Sequence, residues 1–222
     1  MEIVLKDNER IDDLQLNNLK IIQNKDGFCF GIDAVLLSDF AKDIRNNSTV
    51  LDLGTGTGII GILLCAKTKL SKIYGIDVQK YVCDMALRSI KLNNLEDKFE
   101  IINTNIKKLT NTFEEASFDA IVSNPPYFVN SLKCPNLQRN TARHTDTLSL
   151  EDLLQNSQQL LAPQGSIALI LPYNQKDYLN NCLKQEKLYI HKEVDVIIDA
   201  INEAAKSVSE EKKEEADKKE VN

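Results

Sequence analysis

The tetrapeptide Asn124-Pro125-Pro126-Tyr127 has the residue types and spacing of a chemical site, and it follows an apolar run that reads as a buried strand. Proline fixes its own backbone and restricts the residue before it, so these four residues form a stiff bracket. The Asn124 side-chain oxygen and the Pro125 carbonyl can each accept one hydrogen of an exocyclic amine, while the Tyr127 ring offers a stacking face. The tetrapeptide predicts a site for a flat, amine-bearing substrate. A rigid turn with a surface tyrosine is the alternative.

A glycine motif, formed by Gly54, Gly56 and Gly58, lies upstream between an apolar strand and an apolar helix. Glycines at alternate positions let the backbone approach a ligand closely, and the following helix N-terminus favours acceptor or anionic groups. Ile59 stands where the dinucleotide fingerprint requires Gly or Ala, so the spacing argues against a nicotinamide cofactor. The motif predicts a nucleotide-like cofactor, or otherwise a tight turn.

Two acids accompany this motif at the carboxyl ends of predicted strands. Asp52 closes the first strand, and Asp77 closes the second strand of a βαβ unit. An acid in the position of Asp77 usually accepts hydrogen bonds from ribose hydroxyls. A helix N-cap is the alternative for Asp77, although the correct placement of both motif and acid favours the cofactor site.

Together these residues resemble the class I S-adenosylmethionine-dependent methyltransferases, and Asn-Pro-Pro-Tyr resembles the motif of those that methylate an amino nitrogen. Segments 26–37 and 141–145 look like those flanking the core in the bacterial valine-tRNA adenine N6-methyltransferases. That family methylates the adenine beside the anticodon. The resemblance runs from about Ile11 to about Val196, and it implies S-adenosyl-L-methionine as the cofactor and tRNA as the partner.

The resemblance also implies roles for individual residues. Asp33 would lie over the methionine end of the cofactor, although an acid in the first turn of a helix over 33–42 is favoured there for its own sake. Asn105 stands where the family typically carries Asp, so its contact with the cofactor adenine loses charge assistance. The expected catalytic residues are Asn124, Pro125 and Tyr127. The expected cofactor-binding residues are Asp33, Asp52, Gly54, Gly56, Gly58, Asp77, Asn105 and Asn124.

Charge argues both ways for an RNA substrate. The net charge is −6 and the pI is near 5.1, so the protein as a whole is negative and would repel a polyanionic RNA. Segment 130–147 is nevertheless basic and directly follows the bracket, so it predicts a loop that contacts phosphates, with an ordinary solvated loop as the alternative. The expected substrate-binding residues are Pro126, Tyr127, Lys133, Arg139, Arg143 and His144.

Alternating strand and helix patterns predict an α/β fold, a mostly parallel twisted sheet with helices on both faces. The expected architecture is Rossmann-like, with the family's final antiparallel strand missing. Strands are predicted over 49–53, 72–76, 99–102, 118–123, 166–171 and 187–196, and helices over 59–68, 78–93, 150–161 and 175–185. We expect a cap segment over 1–48, the catalytic core over 49–196, and a short helix with a charged, disordered tail over 197–222.

Other features set the expected context. No apolar run approaches the ~20 residues of a membrane span, and no signal-peptide pattern opens the chain, so a cytoplasmic protein without membrane contact is expected. The five cysteines form no Cys-x-x-Cys pair and the two histidines are scattered, so we expect no metal. A monomer is favoured.

Three alternatives compete with a tRNA methyltransferase. Protein-glutamine methyltransferases share Asn-Pro-Pro-Tyr but normally carry a larger N-terminal helical domain. Duplex DNA adenine methyltransferases generally add a target-recognition region. A non-catalytic cofactor-binding or RNA-binding module is the third alternative, suggested by the missing final strand.

Overall fold

Seven strands and five α-helices form within the residues that the computed structural model describes, which are 4–27, 29–125 and 149–196. The strands are β1 (Glu9–Asp13), β2 (Lys20–Asn24), β3 (Thr49–Leu53), β4 (Lys72–Asp77), β5 (Phe99–Asn103), β6 (Phe118–Ser123) and β7 (Leu161–Leu169). The helices are α1 (Ile32–Phe40), α2 (Ile59–Lys67), α3 (Lys80–Leu92), α4 (Leu150–Leu160) and α5 (Lys176–Gln185). Short 3-10 helices span Ile106–Asn111 and Tyr173–Gln175.

The central sheet has five parallel strands in the order β5-β4-β3-β6-β7. The three inner strands, β4, β3 and β6, are largely buried because helices cover both faces, which is why they read as mainly apolar runs. The chain moves outward from β3 to β5 and then returns to place β6 on the other side of β3. Ligands of open α/β sheets bind at the carboxyl ends of the strands where the order reverses. The fold therefore points to the carboxyl ends of β3 and β6.

Two apolar clusters hold the sheet between its helices. Val50 and Val122 pack with residues of α1 and α2, whereas Leu51 and Ile121 pack with residues of α4 and α5. Neighbouring positions along one strand thus face opposite clusters, as the two-residue period of a strand requires. The expected mostly parallel sheet with helices on both faces is confirmed.

Strands β1 and β2 form an antiparallel hairpin that sequence reasoning did not predict within the segment 1–48. The hairpin docks on α3 through Ser89 of that helix and through Asn93, which directly follows it. The Ile22 N–H donates to Ser89 Oγ at 2.9 Å and the Lys20 N–H donates to Asn93 Oδ1 at 2.8 Å. Asn93 Nδ2 donates back to the Lys20 carbonyl at 2.6 Å, so this amide pairs with the backbone as a neighbouring strand would.

The five strands predicted between 49 and 171 are all present, with ends that differ by a few residues; the largest shift places β7 at Leu161–Leu169. The strand predicted over 187–196 is wrong, because residues 188–196 contain no strand. Tyr189, Ile190, Val194 and Val196 are exposed in this segment. Its alternating apolar residues therefore lack the buried face that stabilises a strand.

Contacts divide the chain into the units Met1–Leu188 and Tyr189–Asn222. In the second unit the structure describes residues 189–196, which contain no helix or strand. The predicted short helix and tail over 197–222 lie outside the described residues, and the division into segments 1–48, 49–196 and 197–222 stays a prediction. Every helix in the described part of the chain is too short or too polar to cross a lipid bilayer.

Candidate functional site

The glycine loop joins the end of β3 to the start of α2 and is bonded to the end of β4. Gly54, Gly56 and Gly58 have φ angles of 71°, 57° and 85°, in the left-handed region that favours glycine. The backbone N–H groups of Gly54 and Thr55 both donate to the Ile76 carbonyl at 2.9 Å. The loop is thereby fixed in position before any ligand binds.

The backbone of this loop borders open space. A Cβ atom added at Gly54 or at Gly56 would meet no heavy atom within 4 Å, whereas one at Gly58 would lie 3.4 Å from Ala86 and from the Phe99 ring. The first two glycines therefore leave room for a ligand, and the third lets the chain pass close to α3 and β5. An S-adenosylmethionine molecule fits this arrangement, since its polar groups can approach bare backbone.

Asp77 ends β4, as predicted, and its side chain also contacts the glycine loop. The residue is 8% exposed; its Oδ2 accepts from the Gly56 N–H at 3.1 Å and its Oδ1 accepts from the Gln79 N–H at 2.8 Å. Burial raises the pKa of Asp77, while these backbone hydrogen bonds oppose the rise. The N-cap of α3 is Gln79, so Asp77 is not the helix cap that the alternative required. Its carboxylate keeps lone pairs for the hydroxyls of a ribose.

Asp52 is completely buried and stabilises the glycine loop through Thr55. Its Oδ2 accepts from the Thr55 hydroxyl at 2.7 Å, and its Oδ1 has no hydrogen-bond partner among the described residues. Burial raises the pKa of Asp52 to about 7; the Thr55 hydrogen bond opposes this rise and the Asp77 charge adds to it. The contact with Thr55 gives Asp52 a positioning role, and a direct contact with the cofactor stays a prediction.

Asn124 follows β6, where the structure brings it to Asp33 of α1. The Ser123 hydroxyl, itself buried, donates to the Leu53 carbonyl at 2.7 Å and ties the ends of β6 and β3 together. Asn124 Nδ2 donates to Asp33 Oδ2 in a long contact of 3.5 Å. Since the amide nitrogen faces Asp33, the amide oxygen is directed elsewhere. Pro125, the next residue, is buried.

Asn105 lies two residues beyond the end of β5, on the same edge of the sheet. It is the N-cap of the 3-10 helix Ile106–Asn111, and its side-chain oxygen accepts from the Lys107 N–H at 2.9 Å. A carbonyl oxygen has two lone pairs, so this capping bond leaves one for another donor. The predicted contact with a cofactor adenine stays a prediction.

Part of the predicted site lies outside the described residues. This holds for the expected substrate-binding residues Pro126, Tyr127, Lys133, Arg139, Arg143 and His144 and for the basic loop over 130–147. In the described ranges, no group of three or more His, Cys, Asp or Glu side chains is arranged to hold a metal ion.

Sequence reasoning missed two residues that organise the site, Thr55 and Ser123. Each donates its hydroxyl to an acceptor in or beside the strand ends, Asp52 for Thr55 and Leu53 for Ser123. Their positions carried a signal, because a hydroxyl inside a glycine loop or directly before a polar bracket is well placed for a local hydrogen bond.

Comparison with known proteins agrees with this geometry. Residues 31–195 match the family model of the methyltransferase small domain. A tRNA1(Val) (adenine(37)-N6)-methyltransferase of Parabacteroides distasonis is 39% identical over 182 residues, which cover 82% of this chain and 76% of the relative. One of the same name from Bacteroides fragilis is 32% identical over 183 residues, with 82% and 76% covered.

Among solved structures, a ribosomal protein methylase of Lactobacillus delbrueckii subsp. bulgaricus has a TM-score of 0.57 at 20% identity, covering 78% of each chain. This likeness in fold confirms the expected Rossmann-like architecture of class I methyltransferases. The resemblance noted from the motifs is also confirmed, and with it an S-adenosylmethionine-dependent enzyme. The chain belongs to the methyltransferase small domain family and, more narrowly, to the family of the tRNA1(Val) (adenine(37)-N6)-methyltransferases.

Proposed function

We propose that this chain transfers a methyl group from S-adenosylmethionine to the N6 amine of adenine 37 in a valine tRNA, the reaction named for its relatives. The observation that carries the proposal is the Asn124 amide at the carboxyl end of β6, with its nitrogen on Asp33. This end adjoins that of β3, where the glycine loop begins. Methylation of an amine requires a group that accepts the amine hydrogens next to a loop that binds the cofactor, and Asn124 and the glycine loop provide these two parts.

The described residues divide the work of holding the cofactor. The bare backbone at Gly54 and Gly56 would receive it, and Asp77 would accept hydrogen bonds from its ribose. Asn105 would contact its adenine through the lone pair that the capping bond leaves. When bound, S-adenosylmethionine supplies an already activated methyl group. The protein therefore has to orient the accepting nitrogen and needs little acid-base chemistry of its own.

Asn124 would orient that nitrogen. The lone pair of an aromatic amine is delocalised into the ring; if Asn124 Oδ1 and the Pro125 carbonyl accept its two hydrogens, pyramidal geometry is favoured and developing positive charge is stabilised. A flipped Asn124 amide would present its own N–H to the amine and repel it. Asp33 accepts from Asn124 Nδ2 and so favours the productive orientation of the amide. We assign Asp33 this positioning role in addition to the expected place over the methionine end of the cofactor.

The proposed substrate contacts come from the sequence. Pro126 and Tyr127 would enclose the adenine, with stacking on Tyr127, and an unpaired anticodon-loop base can be turned outward without opening a duplex. Lys133, Arg139, Arg143 and His144 would meet the tRNA backbone beside it. The proposal also includes a monomer that acts in the cytoplasm, where a tRNA substrate is found.

Methyl transfer to defined RNA tests the proposal. Purified protein is incubated with labelled S-adenosylmethionine and unmodified valine tRNA, and the nucleosides are then identified by mass spectrometry. We expect N6-methyladenosine at position 37 and no product with a transcript that carries guanine at that position. Methylation of the guanine-37 transcript to the same extent, or transfer to protein glutamine and not to RNA, would contradict the proposal.

A further inference from the structure

An aromatic side chain projects from the protein on the same edge of the sheet as Asn124. Tyr173 follows β7 by four residues and is 73% exposed. Strand β7 pairs with β6, where Ser123 lies opposite Leu169 and the Ile170 N–H donates to the Ser123 carbonyl at 3.3 Å. Four residues span at most about 14 Å of chain, so Tyr173 lies close to the carboxyl edge of the sheet.

The backbone around Tyr173 is anchored on both sides. Leu171 precedes it, and Tyr178 and Leu179 follow it, and all three pack against the apolar cluster under α4. The Gln175 N–H donates to the Pro172 carbonyl at 2.9 Å, which closes the turn that carries Tyr173. The exposed ring is therefore presented by a fixed turn. Little further backbone ordering is needed when a partner binds it.

A cation accompanies the ring. Lys176 Nζ lies 5.7 Å from the centre of the Tyr173 ring, on the first turn of α5. An aromatic face next to a lysine is the usual combination at single-stranded nucleic-acid sites, where bases stack and phosphates meet the cation. Asp177 follows directly and lowers the net positive charge around Lys176, so stacking on Tyr173 has to supply most of the attraction.

A second cation–aromatic pair in the described chain shows the contrast. Lys72 Nζ lies 5.9 Å from the centre of the Tyr74 ring, but that ring packs edge-on against Phe113 and Phe118 in the core. Lys72 opens β4, so the pair is at the amino edge of the sheet, opposite the glycine loop. That pair serves the core, and it supplies a matched control for the exposed one.

We propose that Tyr173 and Lys176 form a second base-binding platform, which stacks an unpaired RNA base next to the methylated adenine and holds its phosphate. This inference rests on the proposed function for the identity of the RNA. It adds a contact beyond the end of β7 to the Asn-Pro-Pro-Tyr segment that follows β6. The platform would bind the anticodon loop at two points and so define which adenine reaches Asn124.

Steady-state kinetics tests the platform. Tyr173→Ala should raise the KM for an anticodon stem-loop RNA roughly 5- to 100-fold with kcat retained, as the loss of one base stack predicts. Tyr173→Phe should stay near wild type because stacking needs only the ring. Lys176→Ala should reduce the salt slope of RNA binding by about one unit, whereas the control Lys72→Ala should leave the slope and KM unchanged. An unchanged KM in Tyr173→Ala would overturn the platform.

A binding measurement separates this inference from the proposed function. The chain contains no tryptophan, so Tyr173→Trp introduces a single tryptophan whose ring can still stack. We expect its emission to be quenched on titration with the stem-loop RNA and unchanged with heparin, a polyanion without bases. Absence of quenching by an RNA that is bound and methylated would overturn the platform alone. Quenching without any methyl transfer would support the platform and contradict the proposed function.

Discussion

The two halves of the sheet edge differ in where their polar atoms are directed. At the ends of β3 and β4 the polar groups bond one another: Asp52 to Thr55, Asp77 to Gly56, and two loop N–H groups to Ile76. At the ends of β6 and β7, Asn124 makes one long contact within the described chain and Tyr173 is mostly exposed.

This difference matches the two tasks of the enzyme. A cofactor that is bound in every cycle benefits from a loop whose geometry is fixed in advance, because no binding energy is then used to order it. Groups that act on an incoming base must keep their acceptors available until it arrives. The following predictions test this division, since the cofactor half and the substrate half should fail in different measurements.

The largest effect is expected at Asn124. Asn124→Ala removes the proposed amine acceptor, and single-turnover methylation should fall roughly a hundredfold or more, as loss of one preorganised polar contact typically does. Affinity for S-adenosylmethionine, measured by calorimetry, should change little. Asn156 on α4 provides the control, because its amide bonds within that helix to the Asp152 carbonyl at 2.7 Å. If Asn124→Ala methylates at the wild-type rate, Asn124 is not the group that accepts the amine hydrogens.

Asp77→Ala should give the opposite pattern. Losing the proposed ribose contacts and the bond to the Gly56 N–H should weaken cofactor binding by about one to two decades in calorimetry. The rate at saturating cofactor should be affected far less. Asp97→Ala, at an exposed site before β5, should bind the cofactor as wild type does. Equal affinity of the Asp77 and Asp97 variants would show that the ribose is held elsewhere.

Asp52 should make the stability of the folded protein depend on pH. Its pKa is about 7 in the folded protein against 3.8 for the unfolded chain, so the folded state binds the extra proton between these values. The stability that comes from the neutral, buried carboxyl is fully present below the unfolded pKa and is lost as pH rises to the folded pKa. The slope in the free energy of unfolding is up to about 1.4 kcal/mol per pH unit.

Asp52→Asn removes this titration while keeping an acceptor for Thr55. The variant should therefore gain stability relative to wild type as pH rises through this window, measured by urea unfolding at a series of pH values. Asp97→Asn, at an exposed position, should follow the wild-type curve. Parallel curves for wild type and Asp52→Asn would mean that Asp52 stays ionised in the folded protein.

The smallest effect is expected at Gly56, where the loop meets open space. Gly56→Ala should cost about 1 kcal/mol of stability, because its φ of 57° strains a residue with a Cβ while no atom lies in the way. Cofactor affinity should fall as well, since the methyl group would enter that space. In Gly61→Ala the Cβ would lie 2.3 Å from the Phe99 ring, so that variant should lose more stability. Unchanged cofactor affinity in Gly56→Ala would show that the open space is not the cofactor site.

Most strands of the sheet could be predicted because each depends on local signals. Buried parallel strands read as apolar runs between turn residues, and the glycine loop and Asp77 fall at fixed distances from them. The hairpin of β1 and β2 escaped prediction because both strands are short, β1 is highly charged, and β2 is held by Ser89 and Asn93, far away in the sequence. The strand wrongly predicted over 187–196 shows the reverse, since alternation without a buried face did not form one.

The site was predicted unevenly for the same reason. Asn124 and Asp77 can be recognised from the motifs in which they occur. The contact of Asn124 with Asp33 joins residues 91 positions apart, so it leaves no local sequence pattern. The apolar run that precedes Tyr173 predicts strand β7, but it does not indicate that the Tyr173 side chain is exposed. A sequence indicates residue types at strand ends, whereas the partner of each side chain depends on tertiary packing.

The strand order also has a consequence for the order of synthesis. Strands β3, β4 and β5 are consecutive in the chain, so these three strands can pair with one another as they leave the ribosome. Ser123 follows its partner Leu53 by 70 residues, which is roughly 4 to 14 s of translation at about 5 to 20 residues per second. During this interval one edge of β3 has no neighbouring strand, so it can pair with an incorrect strand or with another chain. We expect this nascent chain to be the stage at which the protein most needs a chaperone.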